Sequence, residues 1–271
     1  MKIGYFGIPG SFTHTVATRE FPDAELVGAL SFRSTFENLA NDSVDEIVVP
    51  IENTLAGSIY ENYDLLDKYD FAIRREMYLK IGHMLLGVSA NISSISEVHS
   101  HQKALEQCSD FLHANPHIKP VIASDTASAA RLVAEKNDPS VAAIASKENA
   151  AIYGLTIVRS NIENDDGNYT RFLGIAKNEA ESTRGYNKSS LIVTLPHVQG
   201  SLFRIFELFN ETSCNVTKIE SRPLHSKPFE YTFYLDFTFD KSLDIDMLLA
   251  KLATQTLSLK QVGTYEAVHP W

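Results

Sequence analysis

Short, continuously apolar runs alternate with helical stretches through the first 177 residues, and each run ends in small polar side chains. Lys2 to Phe6 leads into the turn Gly7-Ile8-Pro9-Gly10-Ser11-Phe12-Thr13 and a helix near His14 to Ala17. Ile47 to Ile51 runs into Glu52-Asn53-Thr54-Leu55-Ala56-Gly57-Ser58 and a helical pattern from Tyr60 to Leu66. The arrangement recurs at Glu97 to Ser100 before a helix from Gln102 to His113, at Val121 to Asp125 before Thr126 to Lys136, and at Val141 to Ala145 before Glu148 to Tyr153. Such alternation predicts parallel α/β sheets, whose ligand sites lie at the carboxyl ends of the strands among the helix N-termini. Each N-terminus contributes about 0.3–1 kcal/mol toward an anion. Taken singly, Ser11, Ser100 and Asp125 are ordinary N-caps, since Ser and Asp are preferred there.

A different signal lies at Asn168-Tyr169-Thr170-Arg171-Phe172. The polar stretch from Asn161 to Gly167 reads as a loop, and Phe172 to Ala176 as a buried strand, so Thr170 and Arg171 stand where loop becomes strand. Thr170 donates a proton or hydrogen bond, and Arg171 offers a planar fork that matches a carboxylate. The pair suits a small anion whose leaving group needs a proton. From the pentapeptide alone, an ordinary strand start with a surface arginine is the better reading.

Composition narrows the partners. Lys plus Arg number 24 against 34 Asp plus Glu, a formal net charge of -10, which argues against nucleic acid and anionic membrane. An anionic ligand therefore needs a local positive site. Gly4, Gly7 and Gly10 do not have the dinucleotide spacing, no P-loop is present, and no Gly-x-Ser-x-Gly elbow suggests a serine hydrolase. Cys108 and Cys214 form neither a disulfide framework nor a zinc site, and no metal or organic cofactor is expected. His101 and Cys108 on one helix permit a Cys-His nucleophile, but burial habits of cysteine favour core packing. The N-terminus lacks a signal peptide and no run approaches a membrane span, so a cytoplasmic protein is expected.

The polar segment from Lys177 to Gly185 predicts a domain boundary. Beyond it, strands at Leu191–Leu195, Asn215–Ser221, Tyr231–Phe239 and Gln261–Tyr265 and helices at Ser201–Phe209 and Ile245–Ala253 spell βαββαβ, a ferredoxin-like order.

Four segments carry a resemblance. Gly7-Ile8-Pro9-Gly10-Ser11-Phe12-Thr13, Val49-Pro50-Ile51-Glu52-Asn53-Thr54-Leu55-Ala56-Gly57-Ser58, Ser100-His101-Gln102-Lys103-Ala104-Leu105-Glu106-Gln107-Cys108 and Asn168-Tyr169-Thr170-Arg171-Phe172 resemble, in order, signatures of the prephenate dehydratases. In the third, Gln102 and Lys103 stand where the family has proline and glutamine. The resemblance implies two α/β lobes like a type 2 periplasmic binding protein with the active site between them. Lobe one is expected over about 1–78 plus 158–177 and lobe two over about 79–157, with crossovers near Tyr78–Lys80 and Ile157–Arg159. It also implies Thr170 as the catalytic residue, and Asn53, Ser100 and Gln107 at the substrate. Ser11, Thr13, Glu52, Asp125, Thr126 and Asn168 are expected to complete the site, with Arg171 on a substrate carboxylate.

Past a linker over 178–186, residues 187–271 resemble the regulatory ACT domain attached to these enzymes. Gly200-Ser201-Leu202, with serine for the usual alanine, and Glu220-Ser221-Arg222-Pro223 match its phenylalanine-binding signatures. The expectation is a monofunctional enzyme, because no chorismate mutase segment precedes residue 1, that turns prephenate into phenylpyruvate. It would be a homodimer or homotetramer inhibited by L-phenylalanine. Arogenate dehydratase is the related alternative, and an organic-anion sensor using the same cleft is the rival of a different class.

Overall fold

A computed structural model describes residues 1–178, 186–223 and 231–268. By contacts they form two compact units, 1–59 with 78–172 and 60–77 with 173 onward. The linker expected over 178–186 lies mostly outside the described residues.

The chain opens with β1 (Lys2–Phe6), α1 (Phe12–Glu20), β2 (Glu25–Ala29), α2 (Phe32–Ala40) and β3 (Glu46–Asn53), and β1 pairs in parallel with β2 and β3. Ile47, Val48 and Val49 are all fully buried, as a strand covered on both faces requires. A two-residue strand, β4 (Gly57–Ser58), folds back on the end of β3 ahead of α3 (Tyr60–Lys68) and β5 (Ala72–Lys80).

A second sheet holds β6 (Met84–Gly87), β7 (Glu97–Ser100), α4 (Gln102–Gln107), α5 (Ser109–Ala114), β8 (Lys119–Ile122), α6 (Thr126–Lys136), β9 (Val141–Ala145), α7 (Glu148–Tyr153) and β10 (Thr156–Arg159). Its strand order is β10-β6-β9-β7-β8. β7 runs parallel to β8 and β9, whereas β6 is antiparallel to both of its neighbours. The expectation of parallel sheets therefore fails here at β6, as it does at β4, which runs antiparallel to β3. β6 comes from β5 of the other sheet, so no helical crossover within this sheet ties its direction to that of β9, whereas β7, β8 and β9 are joined by such crossovers.

β11 (Tyr169–Ala176) then enters the first sheet, whose order is β2-β1-β3-β11-β5 with β4 beside β3. The passages between the two sheets are 81–83 and 160–168. They begin directly after Tyr78–Lys80 and Ile157–Arg159, the ends of β5 and β10, near which the crossovers were expected.

The helix expected from Gln102 to His113 is two helices, α4 and α5, broken at Cys108. Asn164 causes the break: its N–H bonds Gln107 O at 2.7 Å, its Oδ1 accepts from Asp110 N at 3.1 Å, and its Nδ2 donates to Ser109 Oγ at 2.8 Å. A loop residue thus takes groups that a continuous helix would pair internally. Cys108 is fully buried and burial pushes its thiol up to about 12, which fits packing rather than nucleophilic chemistry.

The second unit contains β12 (Lys188–Thr194), α8 (Ser201–Glu211), β13 (Asn215–Pro223), β14 (Tyr231–Thr238), α9 (Ile245–Ala253) and β15 (Ser258–Tyr265). The sheet order β13-β14-β12-β15, antiparallel throughout, is the ferredoxin-like βαββαβ arrangement. Alternation along β14 sends Leu235 and Phe237 toward Ile205, Phe209, Leu248 and Leu252 of the two helices. Each such large side chain contributes about 1.5–3 kcal/mol by leaving water. Tyr234, on the other face, packs its ring 4.7 Å from Tyr63 of α3 and donates to Tyr63 O at 3.0 Å.

Among the described residues no helix is long and apolar enough to cross a membrane.

Candidate active site

A cavity of about 320 Å³ opens in the first unit between strand ends of its two sheets. β1, β3 and β11 deliver Phe6, Asn53, Thr170 and Phe172 to it from one side, while α4 and α6 bring Lys103, Gln107 and Thr126 from the other. Phe12 and Phe32 add further aromatic wall. The lining is mostly apolar with a few polar groups, the usual make-up of a small-molecule site.

The polar groups are oriented by one directional chain of hydrogen bonds. Asn53, the last residue of β3, accepts at Oδ1 from the N–H groups of Leu55 (3.0 Å) and Ala56 (2.8 Å). Backbone N–H groups only donate, so the Asn53 oxygen must face them and its NH₂ must face the opposite way. There Nδ2 meets three acceptors: Asn168 Oδ1 at 2.6 Å, Tyr169 O at 3.1 Å and Thr170 Oγ1 at 2.9 Å. Asn168 is only 1% exposed; with its oxygen engaged, its own NH₂ turns to Gln107 Oε1 at 3.3 Å. Gln107 Oε1 also lies 2.9 Å from His83 Nε2, which must therefore carry the proton.

Two consequences follow for chemistry. Thr170 Oγ1 accepts from Asn53, so its own proton remains free to be donated into the cleft. The Gln107 oxygen is occupied twice, which leaves that side chain's NH₂ as the group a ligand meets. The network acts as a fixed array of donors, suited to an anionic ligand or to an oxygen that gains negative charge as it departs.

His83 was not legible in the sequence. It is a lone histidine ahead of an apolar run, and nothing near it in the chain marks a partner. In the structure it is 2% exposed beside the cleft, and burial lowers its pKa, against an opposing pull from the Gln107 bond and Glu163. It is thus held neutral.

Of the other expected residues, Ser11, Thr13, Asp125 and Thr126 also line the cavity. Ser11 caps α1 by accepting from His14 N at 3.2 Å, and Asp125 caps α6 by accepting from Ser128 N at 2.8 Å. Gly7 and Gly10 have φ of +107° and +90°, which an L side chain adopts only with strain; they let the turn reach the α1 cap. Tyr153 OH and Asn149 Nδ2 of α7 donate to Pro9 O and Gly10 O at 2.6 and 2.9 Å, tying this turn to the second lobe.

Three expected residues are not brought to the cavity wall. Ser100 is fully buried and donates to Ile144 O at 2.6 Å, joining β7 to β9. Glu52 lies beside Ser58 in the β3–β4 pair. Arg171 is 6% exposed and absent from the lining, although Thr170 and Phe172 are both present. Successive strand residues face opposite sides, so Arg171 points away from the face that Thr170 serves.

In the second unit Gly200, with φ of +82°, opens α8, and Ser201 and Leu202 line a separate cavity of about 380 Å³ with Tyr231 and Phe233. Glu220 lies opposite Tyr234, Ser221 opposite Phe233, Arg222 opposite Thr232 and Pro223 opposite Tyr231 on the neighbouring strand. Arg222 grips Asp64 of α3 through Nε (3.2 Å) and Nη2 (2.8 Å) and lies over the Tyr60 ring at 4.7 Å.

Fold and site together define a bilobal α/β ligand-cleft protein carrying a ferredoxin-like module. Residues 3–180 match the family model described as prephenate dehydratase. The arogenate dehydratase/prephenate dehydratase 1, chloroplastic, of Arabidopsis thaliana is 39% identical over 254 residues, 88% of this chain but 64% of that protein. The chain thus spans less than two thirds of that relative. The bifunctional chorismate mutase/prephenate dehydratase of Escherichia coli (strain K12) is 33% identical over 271 residues, 97% of this chain and 70% of that protein. The crystal structure of the prephenate dehydratase from Staphylococcus aureus subsp. aureus Mu50 matches with a TM-score of 0.85 at 26% identity, covering 98% of this chain and all of that one. The chain belongs to the prephenate dehydratase family.

Proposed function

We propose that this protein converts prephenate to phenylpyruvate, water and carbon dioxide, in the biosynthesis of phenylalanine. The ring carboxylate leaves as carbon dioxide, its bonding electrons enter the ring, and the ring hydroxyl departs as water on taking up one proton. Aromatisation drives the step, so the protein must hold the substrate, shield the ring and assist the leaving oxygen. Thr170 is the donor to that oxygen, and the observation that carries this reading is the Asn53 amide, which donates to Thr170 Oγ1 and so leaves the threonine proton available to a ligand. A threonine hydroxyl is a weak acid, and positioned proton donors typically supply about 10²–10⁴-fold. Gln107 and the N-termini of α1 and α6 meet the carboxylates, while Phe12, Phe32 and Phe172 enclose the ring.

The second unit serves as the ACT regulatory domain. Phenylalanine binds it through the Gly200-Ser201-Leu202 turn and the Glu220 to Pro223 strand end, favouring a less active state by a coupling free energy of about 1–3 kcal/mol. The cavity beside Ser201 and Leu202 supports this part of the reading.

Incubation of the purified protein with prephenate, following phenylpyruvate by its enolate absorbance in alkali, tests the proposal directly. Turnover is expected, and phenylalanine should reduce it. Saturable binding of prephenate with no product would favour the anion-sensor reading instead.

A further inference from the structure

Resting on the dehydratase reading, we propose that Lys103 selects the substrate's side chain, so that the cleft takes the 2-oxo acid prephenate in preference to the 2-amino acid arogenate. The two acids share the ring, its hydroxyl and its carboxylate. They differ at one carbon of the side chain, which bears a carbonyl oxygen in the first and an ammonium in the second.

The charges that line the cleft favour the oxo acid. Among the described residues, Lys103 is the only Lys or Arg in the lining, and Asp125 the only Asp or Glu. Asp125 is committed to α6: Oδ1 accepts from Ser128 N at 2.8 Å, and Oδ2 from Ser128 Oγ at 2.5 Å and Ser124 Oγ at 3.2 Å. Its charge is further matched to the positive end of that helix. Among the described residues, the one carboxylate of the lining is thus already oriented by three hydrogen bonds within its own helix start, away from the role of a dedicated ammonium partner.

Lys103 stands where an ammonium would be repelled and adjacent oxygens welcomed. It belongs to α4, on the lobe facing Thr170, and the substrate carries its hydroxyl and its side chain at opposite ends of the ring. With the hydroxyl at Thr170, the side chain extends toward the other lobe. Lys103 Nζ donates to Glu106 Oε2 at 3.1 Å, and Gln102 Nε2 donates to Glu106 Oε1 at 3.0 Å. Both residues that depart from the family motif thus converge on one carboxylate. This pair is solvent-exposed, with side-chain accessibilities of 63% and 50%, so it holds Lys103 only weakly. The ammonium has three donors and Glu106 uses one, which leaves two for the carboxylate and carbonyl oxygens of a 2-oxo acid.

The test compares kcat/KM for prephenate and arogenate in the wild type, Lys103→Met and Lys103→Arg, with thermal melts to confirm equal folding. The wild type should prefer prephenate, and the ratio should fall about two- to fivefold in Lys103→Met, the scale of one exposed charge contact. Lys103→Arg should keep most of the preference. A wild type that prefers arogenate, or a ratio unchanged in Lys103→Met, would overturn the role of Lys103 while leaving the dehydratase reading intact. A wild type inert toward both acids would overturn that reading and this inference together.

Discussion

Asn53 and Thr170 are 117 positions apart in the chain, yet Nδ2 of the first lies 2.9 Å from Oγ1 of the second. The end of β3 lies beside the start of its neighbour β11, and the direction of this bond decides what the threonine can offer a ligand. The Asn53 oxygen is held by two backbone N–H groups, so the amide cannot flip without leaving them unpaired.

Removing the hydroxyl should remove the proton donor. Thr170→Ala is expected to lower kcat by at least about a hundredfold, the low end for a positioned acid, while Thr170→Ser retains more. A folded Thr170→Ala enzyme with near wild-type turnover would show that another group serves the leaving oxygen.

Reversing the bond should be nearly as damaging as deleting it. In Asn53→Asp a carboxylate replaces the NH₂, so the Thr170 proton turns toward the aspartate and away from the cleft. Turnover should drop by about a hundredfold, and the Asn53→Asp/Thr170→Ala double variant should lose little more than either alone, as coupled sites do. Multiplicative losses in the double variant would separate the two roles.

The neutral state of His83 implies a pH dependence of stability. Burial lowers its folded pKa, so below about pH 6.5 the unfolded chain takes up the proton first. The stabilisation is present above that value and is lost as pH falls through it toward the folded pKa. His83→Gln should therefore show a smaller drop in unfolding free energy between about pH 7.5 and about pH 5.5 than the wild type, measured with denaturant. Equal drops would mean that His83 contributes nothing to this slope.

Gly10 has φ of +90°, and a Cβ there would overlap Oδ1 of the fully buried Asn149. Gly10→Ala is expected to cost about 1–3 kcal/mol through the backbone alone, and to lower Tm by about 4 °C or more. Adding Asn149→Ala should return part of the loss by clearing the overlap while leaving the strained φ. An unchanged Tm in Gly10→Ala would mean that the turn relaxes freely.

The Lys188–Glu76 pair in the second unit is buried on both sides, with Nζ 2.7 Å from Oε2. Lys188→Met removes this buried cation from beside Glu76 and should destabilise the fold by about 3–5 kcal/mol, whereas Lys188→Met with Glu76→Leu should recover most of that. Calorimetric melts of both variants check this.

Much of the architecture was legible from the chain, because local rules govern it. The apolar runs and their polar ends identified β1, β3, β7 and β9, and Ser11 and Asp125 are N-caps because side chains of that length reach the first free N–H groups of a helix. Alternation along Tyr231 to Phe239 marked a half-buried strand, which runs from Tyr231 to Thr238, and the helix expected from Ile245 to Ala253 appears over those same residues. The period of two could also have shown that Thr170 and Arg171 face opposite sides of β11; the pairing of hydroxyl and guanidinium in one site overlooked it.

Other features belong to the tertiary structure alone, since they depend on groups distant in the chain. Asn164 splits the helix at Cys108 only because the loop from 160 to 168 passes beside it. β6 runs antiparallel because β9 and β10, formed later in the chain, come to pair on either side of it, which no residue within β6 encodes. The directional relay from Asn53 through Asn168 to Gln107 and His83 draws on four separate segments. Amides and imidazoles have no fixed donor side until their neighbours are known. The sequence by itself determined which elements form and which side chains are available; packing decided which way each of those side chains donates.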